Sequence, residues 1–150
     1  SVGVEYTDTD GNGVPDGATS VWLGSGVTSD ISGSNANGNA SGDGSDDGFT
    51  IPPDKLDSNQ VNNHTIALST VGTNTVYYAV GIDWNNDGTI DDTYTGNQSV
   101  TGSGTATVGV NTPSGFSGGA VNYRVVVASS AADAFDALTG TSFTNGEIES

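Results

Sequence analysis

The sequence contains no cysteine, no methionine and a single histidine. Without cysteine the chain can form neither disulfide bonds nor thiolate metal sites, which excludes the usual structural zinc centres. It also lacks any apolar run of about 18 residues, the length typical of a membrane-spanning helix. An oxygen-ligated cation is therefore the remaining cross-link that suits a chain with 23 glycines, whose unfolded state has high conformational entropy.

Positive charge is also scarce, because Lys55 and Arg124 oppose 18 acidic residues and the net charge is −16. Nucleic acids and anionic membranes attract proteins through Lys and Arg, so we expect neither as a partner and no insertion into a membrane. The acids cluster in short stretches rich in Gly and Asn, whereas the apolar stretches between them are nearly uncharged. This placement favours bound Ca²⁺ over a surface adapted only to high salt, although the two interpretations are compatible.

The regular elements predicted from the sequence are mainly β-strands. Segments rich in apolar, β-branched and aromatic residues predict strands at residues 20–23, 64–70, 76–84, 105–110 and 121–128. The third and fifth of these are the most apolar, so we expect both at the centre of a sheet. Only residues 131–138 predict a short helix. We expect residues 1–150 to form a single all-β domain, an antiparallel, jelly-roll-like β-sandwich with long calcium-binding loops.

Two nine-residue stretches share one pattern of oxygen-bearing side chains. Residues 8–16 (Asp-Thr-Asp-Gly-Asn-Gly-Val-Pro-Asp) and 83–91 (Asp-Trp-Asn-Asn-Asp-Gly-Thr-Ile-Asp) carry Asp or Asn at positions 1, 3, 5 and 9, and Gly at position 6. Calcium takes about six to eight oxygen ligands, and alternate residues of a tightly curled loop direct theirs to one centre, joined by the carbonyl at position 7. The predicted ligands are Asp8, Asp10, Asn12, Val14 and Asp16 in the first loop, and Asp83, Asn85, Asp87, Thr89 and Asp91 in the second.

These loops depart from the EF-hand pattern at position 12. That position holds Thr19 in the first loop and Tyr94 in the second, where an EF-hand requires a bidentate Glu. They are more similar to the aspartate-rich loops of extracellular repeats, in which water or distant residues complete the shell. The candidates for that completion are Asp92, Glu147 and Glu149.

A third acidic cluster lacks the alternating pattern. It consists of Asp43, Asp46 and Asp47, and it either forms another cation site or lends carboxylates to one of the two loops. The simpler alternative for all three stretches is that Asp, Asn and Gly only mark turns.

Several segments also carry a family resemblance. Their order is Leu-Gly-Ser-Gly from Leu23, the Asn- and Asp-rich residues 35–49, Gly-Ile-Asp-Trp-Asn-Asn-Asp-Gly at 81–88, Tyr-Arg-Val-Val-Val at 123–127 and Gly-Glu-Ile-Glu at 146–149. Together, over residues 21–149, they resemble the GEVED domain of bacterial secreted and cell-surface proteins. The resemblance implies a β-rich extracellular module without assigned catalysis. It also implies that Asp83, Asn85, Asp87 and Glu147 lie in signature segments of the family.

No arrangement of residues in the sequence predicts catalysis. His64 opens a predicted strand, and no Gly-x-Ser-x-Gly nucleophile elbow exists for it to serve, so we expect an ordinary residue at a strand edge. Pairs of carboxyl groups arise by chance among 18 acids and therefore do not indicate glycoside hydrolysis. We expect that the protein is not an enzyme and that it binds no cofactor other than Ca²⁺.

The first six residues suggest a role in assembly. Residues 1–6 (Ser-Val-Gly-Val-Glu-Tyr) alternate apolar with small or polar side chains, which indicates a strand with one buried face. This strand is either an internal edge strand or a strand donated to a neighbouring copy. In the second case the first calcium loop, which follows it within residues 1–18, would fix the junction between the copies.

Two functional hypotheses follow from these observations. The first is a secreted, calcium-binding structural protein that self-assembles into a filament, tube or matrix at the cell surface. The alternative is an adhesin or carbohydrate-binding module, in which exposed aromatic rings would stack on glycans. The aromatic candidates, which would otherwise belong to the core, are Trp22, Tyr77, Tyr78, Trp84 and Tyr123.

Overall fold

The structure, a computed structural model, describes residues 21–24, 49–50, 61–118, 121–138 and 146–149. For residues 49–50, 136–137 and 146–149 the description is limited to the backbone. Every strand pair in these ranges is antiparallel, so the prediction of an all-β antiparallel fold is confirmed. The elements are β1 (Val21–Leu23), β2 (Phe49–Thr50), β3 (Val61–Asp83), β4 (Asp92–Asn111), β5 (Asn122–Ala128), α1 (Ala131–Leu138) and β6 (Gly146–Glu149).

A long hairpin of β3 and β4 forms the frame of the fold. The two strands pair from Ile82 opposite Asp92 to Val61 opposite Asn111. The strands expected separately at 64–70 and 76–84 are therefore parts of one strand of 23 residues. The strand expected at 105–110 begins at Asp92 instead, so its Gly-rich first half is also in the sheet.

A bulge interrupts this hairpin at its middle. Ser69 pairs with Ser103 and Thr73 with Thr101, which leaves three residues of β3 opposite Gly102. Gly72 and Gly102 have φ angles of 72° and 68°, a left-handed conformation that glycine adopts without steric cost. The Asn74 side-chain amide donates hydrogen bonds of 2.7 Å to the Thr70 hydroxyl and to the Val71 carbonyl. Because bulges bend and twist a strand, the hairpin changes direction here.

The second edge of β3 is shared by three short strands. Before the bulge β3 pairs with β2 and β1, and after the bulge it pairs with β5, which in turn pairs with β6. Both β3 and β5 are therefore flanked on two sides. The predicted central positions of residues 76–84 and 121–128 are confirmed.

One apolar core lies between the two halves of the hairpin. It combines Ile66 and Val108, from before the bulge, with Val80 and Val125, from after it. His64 and Tyr123 also meet across this core, with ring centroids 5.5 Å apart. The sheet is therefore folded at the bulge so that the inner faces of its halves pack together. The described strands form one hydrogen-bonded sheet, and a jelly-roll-like sandwich of two sheets stays a prediction.

Helix α1 covers the outer face of the second half, and it spans the residues that the sequence predicted. Ala134 and Leu138 pack there against Ala79 and Val126. The Ser130 hydroxyl accepts a hydrogen bond of 3.1 Å from the Asp133 amide, as an N-cap does. At eight residues α1 is far shorter than a bilayer is thick, and the described ranges contain no helix fit to cross one.

The C-terminus of α1 is in contact with the positively charged side chain of Arg124. The Arg124 guanidinium donates a hydrogen bond of 3.2 Å from Nη1 to the Leu138 carbonyl oxygen. A cation is favourable at this position because the carbonyl end of a helix carries partial negative charge.

Candidate functional site

The second predicted calcium loop connects β3 to β4. It starts at Asp83, the last residue of β3, and ends at Asp91, whose amide donates a hydrogen bond of 2.8 Å to the Ile82 carbonyl. Asn86 has a φ angle of 58°, an uncommon conformation that asparagine tolerates better than most residues. The loop is therefore a tight turn whose two ends are fixed by the hairpin.

Asp83 is the buried anchor of this loop, with 2% of its surface exposed. Its Oδ1 accepts a hydrogen bond of 3.1 Å from the Asp87 amide, and its Oδ2 accepts one of 2.8 Å from the Gly88 amide. Hydrogen bonds to a carboxylate are stronger than those to a neutral acceptor, which offsets part of the cost of burying the charge. Asp83 thus curls the loop around its own carboxylate.

The other predicted side-chain ligands are exposed and also accept loop amides. Asn85 Oδ1 accepts from the Asp87 amide at 3.0 Å, and Asp91 Oδ2 accepts from the Trp84 amide at 2.9 Å. Asp87 Oδ1 accepts from the Thr89 amide at 2.9 Å, and this bond lowers the pKa of the Asp87 carboxyl group. A carboxylate has about four lone-pair positions, so each of these carboxylates keeps acceptor capacity for a cation.

Trp84 fastens the loop to the rest of the sheet. Its indole N–H donates a hydrogen bond of 2.7 Å to Asp92 Oδ2, and its ring lies edge-to-face with Phe116 at 5.4 Å between centroids. The Asn122 side-chain amide donates a hydrogen bond to Asn86 Oδ1, which is a second link between the loop and the sheet. Asp92, predicted as a completing ligand, therefore accepts a hydrogen bond from Trp84, a structural role that the sequence did not indicate.

The donor set of the loop is chemically suited to calcium. Carboxylate, amide and carbonyl oxygens are the ligands that this hard cation takes, and the loop supplies them from Asp83, Asn85, Asp87, Thr89 and Asp91. Within the described residues, however, no group of three or more Asp, Glu, His or Cys side chains lies close enough to hold a metal ion. A calcium ion at this loop would thus need amide, carbonyl and water oxygens beside its few carboxylates.

Tyr94, at position 12 counted from Asp83, serves the fold. Its hydroxyl accepts a hydrogen bond of 2.9 Å from the Asn111 amide, at the far end of β4. The position at which an EF-hand places its bidentate Glu is therefore a link between the two ends of this strand.

The remaining predicted ligands lie outside the residues whose side chains the structure describes. Glu147 and Glu149 belong to β6, where they pair with Val127 and Val125, but their side chains are not described. The strand predicted at residues 1–6 also lies outside the described residues. So do the first loop (Asp8, Asp10, Asn12, Val14 and Asp16) and the third cluster (Asp43, Asp46 and Asp47).

The prediction that His64 is an ordinary edge residue is wrong. Its side chain is fully buried in the core, where it meets Tyr123. The sequence did hold a signal for this position, because His64 is in phase with Ile66 and Leu68 on the inner face of β3.

The predicted family is confirmed by a family model, that of the GEVED domain, which matches residues 77–150. This chain carries a GEVED domain. Its match begins within β3 and includes the Asp83 loop, β4, β5, α1 and β6. The loop and its anchors, Asp83 and Trp84, therefore belong to the GEVED part of the chain. No curated protein and no solved structure matches the chain.

Proposed function

We propose that this chain is a secreted, calcium-binding structural protein that assembles with copies of itself into a surface filament, tube or matrix. In this proposal Ca²⁺ stabilises the loops of a β scaffold, and the protein has no catalytic role. The observation that supports it best is the loop of residues 83–91, which carries oxygen ligands suited to a hard cation and is closed by hydrogen bonds from two of its amides to the buried carboxylate of Asp83.

The charge around Asp83 also supports a bound cation. Among the residues that the structure describes, Arg124 is the single Lys or Arg, and its guanidinium bonds to the Leu138 carbonyl at the end of α1. A net charge of −16 opposes compaction through self-repulsion. A divalent ion at each acidic loop would lower that repulsion and close the loop at the same time.

Calcium binding is tested by metal analysis of the purified protein, followed by thermal unfolding with Ca²⁺ and with EDTA. An ion that binds only the folded state adds about 2.7 kcal/mol of stability at a concentration of 100 Kd. We expect a clear fall in Tm on chelation. Identical melting with and without chelator would overturn the calcium proposal.

A pair of variants separates a proposed ligand from an acid that belongs to neither predicted loop. Asp87→Ala removes a proposed ligand, whereas Asp57→Ala removes an acid from outside both predicted loops. We expect Asp87→Ala to reduce the stabilisation by Ca²⁺ and Asp57→Ala to retain it, measured as the difference in Tm between the two buffers. Equal reductions would argue for general screening of charge.

Assembly is tested by light scattering and electron microscopy during Ca²⁺ addition. The proposal expects particles that grow with the ion and dissolve on chelation, with residues 1–6 as the strand donated between copies. A variant that lacks residues 1–6 should then fail to grow beyond small oligomers. A persistent monomer that binds glycans would instead favour the adhesin or carbohydrate-binding module.

A further inference from the structure

The outer edge of β4 is a long strand edge in the described part of the fold. There β4 pairs along one side only, with β3, over most of its 20 residues. An unpaired edge exposes a row of N–H and C=O groups that can pair with another strand. Proteins usually protect such edges with charges, proline or short length. β4 contains no proline, and its only charged residue is Asp92 at its start.

The surface beside this edge is free of charge and rich in hydroxyl groups. No Asp, Glu, Lys or Arg occurs between residues 93 and 123, in a chain with net charge −16. Alternate residues of β4 form one exposed outer face, made of Thr93, Thr95, Asn97, Ser99, Thr101, Ser103, Thr105 and Thr107. The Thr101 hydroxyl lies 2.9 Å from that of Thr73 on β3. Hydroxyl pairs across neighbouring strands therefore already occur in this sheet.

Charge decides which partner suits this edge. Two copies that each carry −16 repel one another, and they approach at least cost through surfaces without acidic residues. The described acids of known side-chain position, Asp83, Asp87, Asp91, Asp92 and Asp133, lie at the loop and on α1. The edge of β4 is thus the described surface best suited to another copy of this chain.

The same reasoning selects an antiparallel arrangement. A parallel pair would bring the Asp92 carboxylates of the two copies together, whereas an antiparallel pair sets them at opposite ends. Antiparallel pairing of one strand with itself also has two-fold symmetry, the commonest symmetry of protein dimers. The bulge at Gly102 interrupts the regular pairing of β4, so the segment before it, residues 93–101, is the one that pairs.

We propose that residues 93–101 of β4 pair antiparallel with the same residues of a second copy and join two folded sheets across a two-fold axis. This inference deepens the self-assembly proposed above, on which it rests, by naming a contact surface. The contact differs from the donated strand at residues 1–6, so two distinct contacts together would extend dimers into a filament or lattice.

The test measures association by sedimentation velocity in EDTA at about 0.15 M salt, where charges at a contact are only partly screened. The wild-type chain should form a dimer without calcium. Thr95→Glu places a charge on the proposed contact, so it should raise the dissociation constant of the dimer about tenfold or more. Ala132→Glu adds the same charge on the exposed first turn of α1 and should leave the constant unchanged. A monomer at all concentrations, or equal effects of the two variants, would overturn the inference.

A distance measurement on a second pair of variants does not depend on added charge. Since the chain has no cysteine, Asn97→Cys and Ala132→Cys each give one site for a spin label. Two-fold pairing of residues 93–101 predicts a short distance between labels at position 97 in the dimer and a longer one at position 132. A dimer with distant labels at position 97 would refute this surface.

Calcium addition separates this inference from the proposed function. If the dimer with adjacent labels at position 97 persists but Ca²⁺ produces no larger particles, calcium-driven assembly is wrong and the β4 contact stands. If Ca²⁺ produces particles from Thr95→Glu as readily as from the wild type, assembly stands and the β4 contact is wrong.

Discussion

The Asn111 amide donates a hydrogen bond of 2.9 Å to the Tyr94 hydroxyl, joining residues 17 positions apart on one strand. An extended strand of that length would separate them by more than about 50 Å. Their contact therefore requires β4 to double back at the Gly102 bulge. Tyr94 pairs with Val80 and Asn111 with Val61, so this single bond ties together the two halves of the folded hairpin.

Tyr94→Phe removes this tie and keeps the aromatic ring. We expect the free energy of unfolding, measured by urea denaturation, to fall by about 1 kcal/mol, the usual net contribution of one hydrogen bond. Tyr78→Phe is the control because its hydroxyl lies over Gly96 rather than between the ends of β4. An equal loss in both variants would contradict a special role for Tyr94.

Gly96→Ala should disrupt the pairing of β3 with β4. Gly96 lies opposite Tyr78, and a Cβ atom at this position would overlap the tyrosine ring. We expect a loss of about 1 to 3 kcal/mol in the free energy of unfolding, typical of overpacking. At Gly104 the nearest atom to a new Cβ is 3.5 Å away, so Gly104→Ala should cost less. In a Tyr78→Ala background the cost of Gly96→Ala should largely vanish, and a strictly additive double variant would argue against this clash.

Asp83→Ala separates the architecture of the loop from its capacity to bind an ion. In EDTA we expect a loss of about 2 to 4 kcal/mol in the free energy of unfolding, because two loop amides lose a buried charged acceptor. Asp87 is exposed, so Asp87→Ala in EDTA should change stability much less than Asp83→Ala does. Similar losses for both variants in EDTA would contradict the anchoring role of Asp83.

Tyr123 should make the protein sensitive to alkali. Burial, and secondarily the nearby Tyr94, raise the pKa of Tyr123 from 10.0 to about 12. The unfolded chain therefore releases this proton at a lower pH than the folded protein does. The contribution of Tyr123 to stability is fully present below pH 10 and is lost as pH rises towards about 12. Unfolding experiments across this range should show a steeper loss for the wild type than for Tyr123→Phe, and parallel curves would contradict the shift.

The elements predicted well from the sequence are those in which local pattern and tertiary position agree. Residues 121–128 are rich in apolar and β-branched side chains, and residues 122–128 form β5 between two strands. The short apolar pattern at residues 131–138 became α1, since its apolar side chains meet the outer face of the sheet. At these places the burial of side chains and the local propensity favour the same structure.

The elements that were missed depend on partners distant in the sequence. Residues 96–104 contain three glycines and lie outside the strands predicted from the sequence, but pairing with β3 makes them strand. His64 was expected at a strand edge because its side chain is polar. The structure buries it, in phase with the apolar residues of the inner face of β3. Within the Asp83 loop, the sequence indicated oxygen ligands but not that loop amides would occupy part of their acceptor capacity.

The eight-residue span between β3 and β4 also bears on how the chain reaches its fold. Ile82 and Asp92 are the closest pair in sequence among all partners of this hairpin, so bringing them together costs the least loop-closure entropy. From that point the two strands can zip outward one pair at a time, past the bulge, until Val61 meets Asn111. The hydrogen bonds that curl the Asp83 turn therefore lie where the folding nucleus of the hairpin would form, and we expect them to affect the rate of folding as well as the final stability.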